Sequence, residues 1–160
     1  MRRPFLLAGS VLVAVAAFRV DWEAWAISTS VTGGWTRTIN AIDLAGGAGT
    51  DLTSTYASDA DAVLVSIADT GGADWRVDIK KQDGVWHPSL VLSARRTSAG
   101  TGGSVSGGDS YQEVTSTYAT FFTGSQDVAD INVQLQLSGV SVSIPRASYS
   151  TTVYYTVTTP

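Results

Sequence analysis

Apolar residues that recur at every second position constrain this chain more than any other feature. Ile131, Val133, Leu135 and Leu137 alternate with Asn132, Gln134 and Gln136, and Trp75, Val77 and Ile79 alternate with Arg76, Asp78 and Lys80. Val140, Val142 and Ile144 repeat the pattern around Ser141 and Ser143. Tyr149, Val153, Tyr155 and Val157 share one parity against Ser150, Thr152, Thr156 and Thr158. Successive side chains of a strand point to opposite faces, so each run gives one apolar and one solvated face. No stretch of useful length carries the spacing of an amphipathic helix.

Weaker strands are expected over 27–32, 35–39, 62–68, 90–95 and 111–122. Gly33-Gly34, Gly71-Gly72, Asp83-Gly84 and Ser138-Gly139 divide the runs where the chain must turn, and residues 81–85 read as a hairpin. Segments 45–53 and 97–110 are too rich in glycine for strands and read as loops. The expected fold is all-β: one antiparallel β-sandwich of roughly seven to nine strands over residues 27–160. A closed barrel is the alternative.

Residues 1–26 are expected to be a signal peptide. Arg2 and Arg3 give a positive start, residues 4–18 form an uncharged, mostly apolar run, and Ala24-Trp25-Ala26 places small residues around the cleavage point. Cleavage is expected after Ala26. The run is shorter than the ~20 apolar residues a spanning helix needs, so no membrane contact is expected after cleavage. Arg2-Arg3-Pro4-Phe5-Leu6 resembles a twin-arginine export signal without its usual preceding polar residue, and ordinary secretion fits equally well. A secreted, periplasmic or cell-surface protein of a prokaryote follows. The chain has no cysteine, which excludes a lipid-anchored cysteine and any disulfide framework.

Two of the 14 Asp and Glu and three of the 10 Lys and Arg fall within residues 1–26, leaving the remainder clearly acidic. That balance argues against nucleic acid or an anionic membrane as partner, because both need clustered positive charge.

Catalytic candidates are few. Asp69-Thr70-Gly71 resembles the loop of retroviral-type aspartic proteases, where two copies bring their aspartates together. The apolar-apolar-Gly segment that should buttress it is represented only by Leu137-Ser138-Gly139, so a turn is the preferred reading. His87 is the sole histidine and cannot build a metal site alone. No Gly-x-Ser-x-Gly turn presents a serine to it. Asp59 with Asp61, or Asp127 with Asp130, lack a recognised calcium-loop spacing. Nothing pairs Glu113 with a second carboxylate for glycoside hydrolysis. No catalytic residue, metal or cofactor is assigned. Trp35 and Trp86 lie near turns, where an exposed indole can stack on a sugar, whereas Trp75 belongs with the core.

The tail from Ile144 to Val157 resembles the last strand of spore-coat-U-like secreted domains, relatives of chaperone–usher pilus subunits. Pro145 and Tyr149 match a Pro-x-Gly-x-Tyr opening, with Ala147 in place of the glycine, and Val153, Tyr155 and Val157 follow on an alternating strand. The same residues, with Pro160, resemble the second motif of WxL cell-wall-binding domains, and Trp75-Arg76-Val77 a loose version of their first. The resemblance implies an incomplete or barely complete immunoglobulin-like β-sandwich whose subunits accept a neighbour's strand, with Ile27, Thr29 and Val31 on one face of a donor. The function expected first is a non-catalytic structural or adhesive surface protein, whose partners are itself or other subunits. A carbohydrate- or wall-polysaccharide-binding module comes second and a secreted hydrolase third.

Overall fold

The computed structural model describes residues 26–160; the expected signal peptide up to residue 25, Ala24 included, lies outside the described residues, and Ala26 is exposed at their start. Nine strands follow: β1 Ser28–Gly33, β2 Thr55–Ala57, β3 Val63–Ala68, β4 Asp74–Asp83, β5 Val91–Arg96, β6 Thr101–Ser106, β7 Gln112–Glu113, β8 Ala119–Ser138 and β9 Thr151–Thr158. A short 3-10 turn, Ala41–Asp43, is capped by the Asn40 side chain. All nine strands pair antiparallel in one sheet that curls nearly into a barrel. The all-β expectation holds, while the two packed layers of a sandwich give way to a single curled sheet.

β8, 20 residues long, is the axis of that sheet. Its residues that pair on both sides define two flanks. Ser138 faces Thr55 of β2 and Val91 of β5, and Val133 faces Val63 of β3 and Arg96 of β5. Val128 faces Ile67 of β3 and Gly102 of β6, and Ser125 faces Asp74 of β4 and Ser104 of β6. Thus β2, β3 and β4 run end to end along one flank, and β5 and β6 along the other. β1 adds to β3, β9 to β4 and β7 to β5.

So long a strand must bend to enclose a core. Gln126 and Asp130 take left-handed backbone (φ 63° and 56°), and the register slips where β8 meets β3, β4 and β6. Such irregularities increase local twist and bend the strand. Curling continues through the segment between β7 and β8. Val114 N donates to the Leu92 carbonyl (2.8 Å) and Lys81 N to the Thr115 carbonyl (2.7 Å), which joins β5 to β4. Val114 is fully buried there, with alternate residues of β3, β4, β5 and β8 around it.

Five expectations of detail are corrected. Segment 97–110 contains β6, because Gly102 and Gly103 let the backbones approach; a Cβ at these positions would lie 2.4 and 2.0 Å from the Asp127 and Ser125 carbonyl oxygens. Segment 140–144 is not a strand. The Asp51 carboxylate takes the Val142 amide (2.8 Å) and the Ser141 hydroxyl (3.0 Å), and Ser141 in turn takes the Ser143 amide (3.2 Å). These local bonds replace a ladder. Segment 35–39 is irregular, with Trp35 against the core, and 111–122 is broken between β7 and β8. Residues 81–85 close no hairpin, since β4 pairs with β8 and β9 rather than β5.

Candidate assembly edge

β9 and β1 lie on the outside of the same flank and meet where β9 ends and β1 begins. β9 runs from Thr151 beside Asp83 to Thr158 beside Arg76, and β1 from Ser28 beside Ala68 to Gly33 beside Val63. Among the described residues each pairs on one side only, so their outer amide and carbonyl groups face outward in a row. Sheet edges are usually blunted with lysine, proline or bulges, which discourage pairing with another chain. Here β1 is Ser-Thr-Ser-Val-Thr-Gly and β9 is Thr-Thr-Val-Tyr-Tyr-Thr-Val-Thr, with neither charge nor proline. β-Branched and aromatic residues fill β9, and β-branched residues make up half of β1, the types that favour extended pairing.

The two halves of the edge are anchored differently. Val153, Tyr155 and Val157, the residues of the family-like closing strand, pack against the core from β9. Burial pushes the Tyr155 phenol well above its ordinary value. Tyr149 prepares the strand by donating its hydroxyl to the Pro145 carbonyl (2.6 Å). β1 buries nothing: all six of its residues are exposed, Thr29 and Val31 included, and only Ile27 just before it touches the core. Its side-chain ties are Ser28 to the Asp69 carboxylate (2.8 Å) and the Ala68 carbonyl (3.5 Å), and Thr29 to the Ser66 carbonyl (3.4 Å). Backbone hydrogen bonds to β3 therefore carry most of its attachment. Gly33 and Gly34 follow it, and a Cβ at Gly33 would lie 2.2 Å from the Ala62 carbonyl oxygen.

The remaining sequence candidates fall elsewhere. Asp69-Thr70-Gly71-Gly72 is a turn, but the strands it joins lie end to end on β8 rather than side by side. Thr70 is buried and donates both its amide (3.0 Å) and its hydroxyl (2.7 Å) to Asp127 Oδ1. Those bonds hold the Asp127 carboxyl below the usual carboxylate range, the hydroxyl contributing most. Asp130 N donates instead to Ser66 (3.0 Å), and Asp59 and Asp61 are exposed in the turn before β3. No three His, Cys, Asp or Glu side chains converge on a metal position among the described residues. His87 Nδ1 accepts from the Ser89 amide (3.2 Å) within its own turn. Glu113 is exposed on β7.

Trp35 and Trp86 are both half-buried against the core. Trp86 donates its indole N–H to the Leu90 carbonyl (2.9 Å) and carries the Lys81 ammonium 4.9 Å from its ring centroid. The aromatics that do stand out are Tyr118 and Tyr154, 45% and 40% exposed. Tyr154 has a sequence signal, as an aromatic on the parity otherwise held by Thr152, Thr156 and Thr158. Tyr118 has none, because it stands just before β8 and outside any alternation.

Comparison of the chain with protein-family models, with curated proteins and with solved structures gives no match.

Proposed function

We propose that the protein is a non-catalytic structural subunit of a surface or filament assembly, and that copies join through the edge formed by β9 and β1. The observation that carries this reading is the row of outward backbone groups on two strands with neither charge nor proline. An incoming strand gains main-chain hydrogen bonds along such an edge, the β-augmentation mode. β1 also supports exchange: leaving its place removes no buried side chain, so a second copy's β1 fits beside β3 at little cost in packing.

The test is light scattering coupled to size exclusion over a wide concentration range. It compares the purified protein with Val31→Lys and Thr152→Lys, which put a charge on each half of the edge. Multimers that give way to monomers in the lysine variants, at unchanged melting temperature, are expected. A monomer at every concentration, or multimers indifferent to both lysines, overturns the proposal.

A further inference from the structure

The outward face of β4, β8 and β9 carries a row that the edge does not use. Lys80 on β4 points away from the core, since Ile79 and Val77 point in. Its ammonium lies 4.4 Å from the centroid of the Tyr118 ring and 5.6 Å from that of Tyr154. Tyr154 is its cross-strand partner on β9. Tyr118 leads into β8 on the other side and accepts a hydrogen bond at its hydroxyl from Thr156 of β9 (3.1 Å). The Tyr118 side chain therefore reaches across β4 and is tethered at both ends, which sets the ring before any ligand arrives.

Charge singles out Lys80 within this face. Arg76 is held by Asp78 on the same strand, with Nε–Oδ1 3.0 Å and Nη2–Oδ2 3.1 Å, and Lys81 by Asp83. Among the described residues Lys80 forms no ion pair with a carboxylate, and its ammonium lies over the two rings. A protein of net charge −4 thus shows here one uncompensated ammonium between two exposed aromatic rings. Thr120 and Thr156, paired with Asp78 from β8 and β9, add hydroxyls to the same face.

We infer that this Tyr118–Lys80–Tyr154 row binds an acidic polysaccharide, one whose sugars carry carboxylates. The C–H face of a sugar ring packs on an aromatic ring, the ammonium takes the carboxylate as a charge-assisted pair, and the threonines meet hydroxyls. An acidic peptide lacks a ring face to place on the tyrosines. A nucleic acid also pairs ring faces with repeated negative charge, and oligo(dT) in the experiment distinguishes it from a polyuronate. The site is independent of how copies associate.

The experiment measures binding of the purified protein to polygalacturonate, with dextran, polyglutamate and oligo(dT) as comparators. Polygalacturonate is expected to bind best, with affinity falling as salt rises. The double variant Tyr118→Ala, Tyr154→Ala is expected to weaken binding about tenfold or more, and Lys80→Gln to remove most of the salt dependence. Tyr118→Phe keeps the ring and drops only the tether, so it should retain most binding and guards against a folding artefact. Absence of polygalacturonate binding, equal binding to polyglutamate or oligo(dT), or indifference to the tyrosine pair overturns the inference.

Discussion

A methyl group added at Gly124 should cost more than its size suggests. Gly124 lies on β8 opposite Trp75 on one side and near Ser104 on the other. A Cβ there would sit 2.4 Å from Trp75 Cη2 and Cζ2 and 2.4 Å from the Ser104 carbonyl oxygen. Carbon atoms in contact prefer about 3.5–4.0 Å, so the overlap exceeds roughly 1 Å. The indole has little room to yield. It is fully buried, its N–H donates to the Gln126 carbonyl (2.7 Å), and its ring meets Phe122 edge to face at 6.2 Å.

Overpacking of this kind costs about 1–3 kcal/mol, and the displaced hydrogen bond about 1 kcal/mol more. Replacing glycine by alanine in a strand returns about 0.5–1 kcal/mol of chain entropy. The net expectation for Gly124→Ala is a loss of about 2 kcal/mol, measured by urea unfolding followed through tryptophan fluorescence. Gly46→Ala is the reference, because a Cβ there meets only the far end of the exposed Thr50 side chain at 3.0 Å. It should stay within about 0.5 kcal/mol of the parent. Trp75→Phe removes the atoms that collide and should cost clearly less beside Ala at 124 than beside Gly. A Gly124→Ala loss no larger than that of Gly46→Ala, or additive behaviour of the pair, refutes the reasoning.

Acid should weaken the turn that joins β3 to β4. The Asp127 carboxyl is held below its ordinary range, so its contribution is complete above the unfolded value of about 3.9 and is lost as pH falls through the lower folded value. Melting temperature should therefore drop below about pH 4, and less steeply in Asp127→Asn; parallel curves would refute the assignment. Thr70→Val removes the buried hydroxyl that serves Asp127 and is expected to cost about 1 kcal/mol at neutral pH in urea unfolding; no change would mean the bond is replaced. The Tyr155 hydroxyl is buried without a partner among the described residues, so Tyr155→Phe should leave stability unchanged or raise it by about 1 kcal/mol, and a marked loss would reveal a partner.

The alternation of Ile131 to Leu137 and of Trp75 to Ile79 made the central strands legible, because one buried face imposes a period of two on the order of apolar and polar residues. The closure of the sheet was not legible. It depends on Gln126 and Asp130 in left-handed backbone and on Val114 turning inward, and none of these residue types signals its role. β6 was hidden for a related reason. Gly102 and Gly103 look like loop residues, and only the carbonyls of Asp127 and Ser125 beside them show why glycine is needed. The run from Val140 to Ile144 misled in the opposite sense, since Asp51, some 90 residues earlier in sequence, supplies the bonds that prevent a strand. The binding row shows the same division: Tyr154 could be picked out by parity, whereas Tyr118 joins it only through the fold.

The two proposals meet on β9 without competing for it. A strand makes its hydrogen bonds within the sheet plane and projects its side chains perpendicular to that plane. An added strand therefore takes the outer backbone groups of Thr151–Thr158 and leaves Tyr154 and Thr156 on the open face. Copies joined along their edges would repeat the Tyr118–Lys80–Tyr154 row on each subunit of the assembly. A single ammonium between two rings gives a weak site, and repetition converts weak sites into strong retention on a long polymer, because each later contact is intramolecular. Assembled protein should then bind polygalacturonate at least about tenfold more tightly than the Val31→Lys monomer, whose row is intact and whose added charge lies on β1, away from the row. Equal affinity in the two forms would mean that assembly turns the rows away from one another, and the edge and the face would then serve separate ends.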